Sequence, residues 1–395
     1  MWKNKKTLSL KILVFALGIG LLGIALAGLA RPAAAASTFP PKQLITPPAL
    51  TANQAVDNAT CLSCHSQPGM TTTMPDGEIL SLTIDQNHFS ASVHQGLHCT
   101  DCHKNITGFP HPALTVQSLR DFSMQMYTTC QQCHSTQYNQ TLDSVHQKAL
   151  AAGNTNAAIC TDCHNPHTQT QLTDPTTGKI LPAARVLIPQ MCARCHSAIY
   201  DQYKNSVHGS ALIGSGNPDV PTCIDCHGVH NIQDPTTVAF RLNSPLLCSK
   251  CHTDASIMDK YGISTQVLNT YVSDFHGTTV TLFEKISPDQ ATNKPVCFDC
   301  HGVHNIMRVD DPVYGLAMKQ NLLKVCQRCH PDATANFPDA WMSHYIPSPS
   351  HDALVYYVNL FYKIFIPTVI GGMLVYVLSD IVRRLLERRK GAKQV

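Results

Sequence analysis

The sequence contains nine copies of the pattern Cys-x-x-Cys-His, and these copies use all eighteen cysteines. Two thiols at this spacing can reach the two vinyl carbons of one porphyrin, and the adjacent histidine then lies under the iron as an axial ligand. The pattern is the attachment signature of c-type haem, and it predicts nine covalently bound haem c groups with their irons. The attachment residues are Cys61, Cys64, Cys99, Cys102, Cys130, Cys133, Cys160, Cys163, Cys192, Cys195, Cys223, Cys226, Cys248, Cys251, Cys297, Cys300, Cys326 and Cys329, and the proximal ligands are His65, His103, His134, His164, His196, His227, His252, His301 and His330.

Two other cysteine chemistries, a zinc site and a disulfide framework, do not account for the repeated motif. Zinc sites use four cysteines, or two cysteines and two histidines, in paired spacings, and they do not need a histidine after every second cysteine. A disulfide framework in an exported protein would show irregular cysteine spacing rather than one repeated motif.

The motifs, numbered 1 to 9 along the chain, form four doublets and a single. The second member of each doublet is nearly constant: CTDCH at Cys99 and Cys160, CIDCH at Cys223 and CFDCH at Cys297. A helical-looking stretch that ends in histidine separates the two members, as in Ser-Val-His146. An internal repeat of this kind indicates a stacked, modular array.

Twelve of the 21 histidines lie outside the motifs, and nine of these recur in register. Four follow the second member of a doublet, and five occupy the position between motifs or its equivalent after motif 9. They are the predicted distal ligands, one for each iron: His94, His111, His146, His167, His208, His230, His276, His304 and His344. His111 departs from the register by lying eight residues after its motif rather than three, and His88 is the alternative to it. A histidine three residues beyond its own motif should serve a neighbouring haem.

Thirty residues per haem, counted from Cys61 to His330, are too few to build a protein core around each cofactor. Aromatic residues make up 7% of the chain and its mean hydropathy is −0.07, so packing by protein alone would be thin. The predicted fold is mainly α with extensive loops, in which short helices wrap around stacked haems. We expect little or no sheet and an apoprotein that does not fold.

Both termini predict contact with a membrane. Residues 1–36 have the layout of a signal peptide, although the 19-residue apolar run also fits an uncleaved anchor. A linker (37–60) and the nonahaem domain (61–350) follow. The anchor region 353–382 contains a predicted membrane span at 364–382, and the basic tail 383–395 should remain cytoplasmic. The expected location is therefore the cytoplasmic membrane, with a single C-terminal anchor and the haem domain on the periplasmic or extracytoplasmic side.

Residues 37–350 carry 17 basic and 23 acidic side chains, a net charge of −6, although the whole chain is at +3. This field favours basic partner surfaces and disfavours nucleic acid.

The CxxCH pairs, the CxDCHGxH form and the SVH segments resemble the doubled-CxxCH multihaem cytochromes of class III (cytochrome c3-like), over residues 61–344. The membrane helix gives a weaker similarity to the NapC/NirT quinol dehydrogenases, in which the anchor is N-terminal and precedes the haems. The first resemblance implies an electron carrier whose haems have two histidine ligands.

The leading functional hypothesis is an electron conduit between a quinone-linked membrane partner and a soluble redox protein or terminal acceptor. Such a chain has no catalytic residue of its own. The alternatives are a nitrite, hydroxylamine or sulfur-oxyanion reductase with one open haem, and a filament-forming conductive subunit. The sequence also predicts a quinol site at three ionisable residues near the outer interface: His351, Asp352 and Lys363.

Overall fold

The computed structural model describes residues 57–112, 114–341 and 343–391. The predicted signal peptide and most of the predicted linker lie outside the described residues. The described chain is mainly helical, as predicted, and most of its helices are short. Its strands are Thr71–Thr73 and Ile79–Ser81, which form one antiparallel hairpin with Thr72 opposite Leu80.

The helices follow the doublets in order. In the first two doublets they are α1 (Asn58–His65), α2 (Gln86–Ser90), α3 (Cys99–Cys102), α4 (Leu119–Tyr127), α5 (Ser135–Thr141), α6 (Val145–Ala151) and α7 (Cys160–Cys163). The next two doublets contain α8 (Pro182–Ala193), α9 (Ser197–Lys204), α10 (Val207–Ser215), α11 (Cys223–His227), α12 (Val238–His252), α13 (Ala255–Met258), α14 (Val267–Ser273), α15 (Phe275–Ile286) and α16 (Cys297–His301). The last two are α17 (Lys319–Gln327) and α18 (Ala353–Gly391). Short 3-10 turns lie at Cys130–Gln132, Asp259–Tyr261 and Phe337–Ala340.

The segment between the two members of a doublet differs from the prediction. The Ser-Val-His sequence begins a helix instead of ending one. The Ser144 hydroxyl accepts the backbone N–H of Gln147 at 3.2 Å, and the Ser206 hydroxyl accepts that of Gly209 at 3.0 Å. Serine in this position satisfies an otherwise unpaired amide at a helix start, so His146 and His208 lie in the first turns of α6 and α10, whereas His94 lies in a turn outside the helices.

One backbone hydrogen bond recurs between successive doublets. The residue before the between-motif histidine donates its N–H to a carbonyl two residues beyond the post-motif histidine of the next doublet. The three copies are Val93 to Gln169, Val145 to Ile232 and Val207 to Ile306, each at 2.8 Å. The repeated sequence therefore produces a repeated contact along the chain.

The protein core is small. Among the described residues, twelve apolar side chains are buried, and one cluster is formed by Leu242, Val280 and Val296. Val238, Phe283 and Phe298 pack against it, half-buried. This agrees with the expectation that packing by protein alone would be thin.

Two glycines permit a close crossing between consecutive helices. A Cβ added to Gly209, in α10, would lie 1.9 Å from the carbonyl oxygen of Tyr203, in α9. A Cβ on Gly277 would meet the carbonyl oxygen of Tyr271 at 2.1 Å. Both glycines directly follow a distal-candidate histidine, so the crossing sets the position of that side chain.

Gly209→Ala is expected to lower the free energy of unfolding by about 1–3 kcal/mol or more, because backbone must move to admit the methyl group. Gly214 lies in the same helix with no atom within 4 Å of an added Cβ, so Gly214→Ala is the matched control. Alanine there should be neutral or stabilise by up to ~1 kcal/mol. Thermal unfolding of the two variants is the measurement, and equal melting temperatures would contradict the crossing.

The C-terminal helix α18 runs for 39 residues through Pro367 and is long and apolar enough to cross a membrane, with a mean hydropathy of 1.9 in its best window and no residue of that window buried. At ~1.5 Å per residue it extends about 58 Å, well beyond an apolar bilayer core of ~30 Å. The helix begins eleven residues before the predicted span 364–382 and continues nine residues after it.

Candidate functional site

Most of the Cys-x-x-Cys-His motifs form one helical turn. The histidine N–H donates to the carbonyl of the first cysteine at 2.9 Å in His103, His134, His164, His196 and His330. Cysteines three residues apart then lie on the same side of the turn, with the histidine directly after them. All eighteen thiols are free, contrary to a disulfide framework.

Each motif histidine has one predicted distal histidine beside it. The distances between ring centroids fall between 5.9 and 6.4 Å for all nine pairs. In motif order the pairs are His65–His111, His103–His167, His134–His94, His164–His230, His196–His146, His227–His304, His252–His208, His301–His344 and His330–His276.

This spacing is that of two imidazoles on opposite sides of one iron. A metal–nitrogen bond of ~2.0 Å on each side, plus ~1.2 Å from nitrogen to ring centre, would separate the centroids by about 6.4 Å. A zinc site needs at least three protein ligands, and no group of three or more histidine, cysteine, aspartate or glutamate side chains with that geometry occurs in the described part of the chain. The residues therefore fit haem with two axial histidines and do not fit zinc.

The pairs follow a rule that joins neighbouring doublets in both directions. A between-motif histidine pairs with the first motif of the next unit, as His146 does with His196; His344, which follows motif 9, instead pairs backward with His301 of motif 8. A post-motif histidine pairs with the second motif of the preceding doublet, as His230 does with His164. Eight of the nine pairs thus connect different repeat units, and His65–His111 lies within one doublet.

Three arginines join the two motifs of a doublet. Each donates to the aspartate of the CxDCH sequence: Arg120 to Asp162 at 2.9 Å, Arg185 to Asp225 at 2.7 Å and Arg241 to Asp299 at 2.7 Å. The same carboxylate accepts the backbone N–H of the residue before the first cysteine, for example Thr222 at 2.7 Å. The near-constant aspartate therefore caps its own motif and binds the helix that leads into the other motif (α4) or contains part or all of it (α8 and α12).

In the first doublet, Asn58 replaces the arginine. Its side-chain oxygen accepts the N–H of Cys99 at 2.8 Å, and its amide nitrogen donates to the carbonyl of Leu97 at 2.8 Å. Sequence reasoning missed both the arginines and Asn58. A signal existed, because Arg185 and Arg241 each stand seven residues before the first cysteine of a doublet.

The motifs are close neighbours in chain order. Within doublets the first cysteines lie close enough to shift each other's pKa, in the pairs Cys61–Cys99, Cys130–Cys160, Cys192–Cys223 and Cys248–Cys297. Between units the second motif of one lies near the first motif of the next, through Cys102 and Cys130, Cys163 and Cys192, Cys226 and Cys248, and Cys300 and Cys326. Every motif therefore neighbours the next, without a gap, from motif 1 to motif 9.

Burial keeps many of the paired imidazoles neutral. The pKa of His208 falls to about 4 because desolvation penalises the cation and the nearby His252 repels it. The pKa of His301 falls to about 4 for the same first reason, with added repulsion from His344 and His252. Burial also lowers the pKa of His103, His146, His167, His227, His230, His252, His304 and His344. Neutral imidazole is the form that binds a metal.

The pKa values of the first cysteines are linked in pairs within a doublet. The proximity of Cys130 lowers the pKa of Cys160 to about 7 while that of Cys130 rises, and Cys192 and Cys223 behave in the same way, with Cys192 lowered to about 7. Burial instead raises the pKa of Cys226 and Cys300 to about 11. Thioether formation at these positions would remove the titration altogether.

Three histidines lie outside the pairs, as the register predicts. His88 is exposed and contacts Asp85 at 3.0 Å, so the ring beside His65 is that of His111 rather than His88. The backbone N–H of His98 donates to Asp101 at 2.8 Å. His351 lies at the start of the C-terminal helix, at 3.7 Å from Asp352.

Aromatic side chains connect the last histidine pairs with the region of the anchor. The ring of Trp341 lies 6.2 Å from His276 and 6.2 Å from His344, which belong to the pairs of motifs 9 and 8. Tyr345, the next residue after His344, packs edge-on against His351 at 4.6 Å. Trp341 was not singled out from the sequence.

The three residues of the predicted quinol site do not meet at one point. His351 and Asp352 are adjacent, whereas Lys363 lies eleven residues beyond Asp352 in α18, about 16 Å along the helix axis. Lys363 lines a shallow groove with Asn359, Tyr362, Ile366 and Pro367.

Comparison with protein-family models, with curated proteins and with solved structures finds no match to this chain.

Proposed function

We propose that this chain is a nine-haem c-type cytochrome that conducts electrons, anchored to a membrane by its C-terminal helix. The observation that carries the proposal is the set of nine histidine pairs, each spaced for two ligands on one iron and each containing the histidine of one Cys-x-x-Cys-His motif. The short helices and loops would then wrap around stacked haems, as in the cytochrome c3-like family that the sequence resembles.

Two histidine ligands leave no iron position for a substrate, and they lack the methionine ligand that raises a haem potential. Neither ligand leaves on oxidation or reduction, so little rearrangement accompanies each electron. Electron tunnelling falls steeply with distance, and the unbroken sequence of neighbouring motifs supports transfer along the whole array. These features favour a conduit over the alternative, a nitrite, hydroxylamine or sulfur-oxyanion reductase with an open haem.

The proposed location is the cytoplasmic membrane, with the haem domain on the periplasmic or extracytoplasmic side. The arginine pairs Arg383–Arg384 and Arg388–Arg389 at the end of α18 support this orientation by the positive-inside rule. The partners proposed are a quinone-linked membrane subunit and a soluble redox protein. The acidic haem domain favours a soluble partner with a basic surface.

Electrons would enter at the membrane end of the array, where motifs 8 and 9 precede the anchor. Lys363, Tyr362 and Asn359 give the groove in α18 polar groups beside an apolar surface, which suits the head of a quinol. Trp341 contacts His344, and Tyr345 and His351 lie between His344 and the start of the helix in the chain.

Quinol oxidation in membranes tests the proposal. A quinol analogue should reduce the haems of the wild-type chain with its membrane partner, and Lys363→Ala should slow that reduction about tenfold, an effect of about 1.4 kcal/mol on the barrier. Reduction by dithionite, which needs no quinol site, should be unchanged and is the control. The measurement is the rate of growth of the reduced haem bands.

Lys363→Arg retains the charge and should keep most of the wild-type rate. His351 lies about three helical turns from Lys363, so His351→Ala tests the helix start independently of the groove. If quinol reduction were slowed in His351→Ala alone, the quinol site would lie at His351. Unchanged rates in both alanine variants would assign quinol oxidation to the partner subunit. A high-spin haem in the untreated protein that binds nitrite or hydroxylamine would favour the reductase instead.

A further inference from the structure

The first histidine pair differs from the other eight in how it is held. His65 and His111 both belong to the first doublet, with ring centroids 5.9 Å apart. In each other pair the two histidines come from different repeat units, so separating them means opening a contact between units. Separating His111 from His65 requires movement only within one doublet.

The local support of His111 is also weaker. It is the one exposed histidine among the nine distal candidates, and the other eight are half-buried. Its Nδ1 approaches the carbonyl of Gly108 at 3.2 Å, inside its own loop. By contrast, the Nδ1 of His94 lies 2.9 Å from the carbonyl of Pro166, and that of His344 lies 3.2 Å from the hydroxyl of Thr270, each in another unit.

No backbone hydrogen bond ties residues 104–112 to another repeat unit among the described residues. The post-motif segments of the later doublets do have such a bond, through the carbonyls of Gln169, Ile232 and Ile306. Exposed segments with few such contacts open locally at much lower free energy than the body of a protein.

We propose that His111 is a displaceable ligand, and that the haem attached at Cys61 and Cys64 is a binding site for a small diatomic ligand such as carbon monoxide in the reduced protein. This inference rests on the proposed nine-haem function. The step is a ligand substitution: the iron–Nε2 bond of His111 breaks, a bond from iron to the carbon of the diatomic forms, and the iron remains ferrous. No electron or proton donor is required.

Carbon monoxide binding to the full-length, dithionite-reduced protein tests the assignment. The wild-type chain, with nine low-spin haems at rest, is expected to bind one carbon monoxide per chain, measured from the Soret difference spectrum. His111→Ala should still bind one, at least tenfold faster, because no ligand has to leave first. His230→Ala opens the haem of motif 4 in addition and should bind two.

Nine low-spin haems with no carbon monoxide bound in the wild type would overturn the inference and leave the proposed function intact. Two molecules bound to His111→Ala would also overturn it, because the wild-type site would then lie at another haem. If His111→Ala does not accumulate, His111→Met is the second variant, because methionine can also act as a sixth ligand. Carbon monoxide binding at the wild-type rate in that variant would overturn the inference. Fewer than nine haems in the wild-type protein would contradict the proposed function itself.

Discussion

Protein made without haem attachment is expected to have no cooperative unfolding transition. Among the described residues the buried apolar side chains number only twelve, and the main cluster is built on Leu242, Val280 and Val296. A core of this size cannot offset the conformational entropy lost by more than three hundred residues. The porphyrins would supply the missing apolar surface, so their loss should abolish the fold rather than weaken it.

Circular dichroism and limited proteolysis of the chain, expressed with and without the haem-attachment machinery, provide the measurement. Serine in place of Cys326 and Cys329 is the graded control, because it removes one haem at the end of the array and should leave the first three doublets folded. A cooperative melting transition in the haem-free protein would mean that the chain folds by its own packing.

Double substitutions of histidine are expected to change the number of low-spin haems according to whether the two histidines belong to one pair or to two. His164→Ala with His230→Ala should affect one haem and leave eight low-spin haems, because both rings belong to one pair at 6.4 Å. His227→Ala with His230→Ala should affect two haems and leave seven, although these two histidines are only three residues apart. The physical reason is that the post-motif histidine faces the preceding doublet.

Electron paramagnetic resonance of the oxidised protein, with haem counted by mass, distinguishes eight low-spin haems from seven. The wild-type chain should show nine, and His88→Ala, which changes an unpaired histidine, should also show nine. If the combination of His227 and His230 left eight low-spin haems, the post-motif histidine would serve its own motif and the pairing across doublets would be wrong.

Sequence reasoning predicted the main features of the fold. Mainly helical structure, the near absence of sheet and an apolar C-terminal helix are confirmed among the described residues. The prediction that a helix ends at the Ser-Val-His segments was wrong for His146 and His208, because Ser144 and Ser206 cap the starts of helices. The helix α18 begins where the predicted anchor region begins, at residue 353, and continues nine residues past its predicted end at 382.

The candidate quinol site shows where proximity in sequence misleads. His351, Asp352 and Lys363 lie within thirteen residues, but a continuous helix carries Lys363 about 16 Å beyond Asp352. The arginines that bridge the motifs were missed for the opposite reason. Arg241 and Asp299 are 58 residues apart and meet only because α12 and α16 pack together.

The sequence by itself determined the nine Cys-x-x-Cys-His motifs, the nine further histidines in register and the apolar helix at the C-terminus. These are local properties: a covalent attachment site needs two thiols and a histidine at fixed spacing, and a membrane helix needs a run of apolar residues. Only the tertiary structure decided which two histidines share a site. Partners such as His103 and His167 are 64 residues apart. Pairs between doublets run both forward and backward along the chain, so the spacing of the histidines in the sequence cannot specify them.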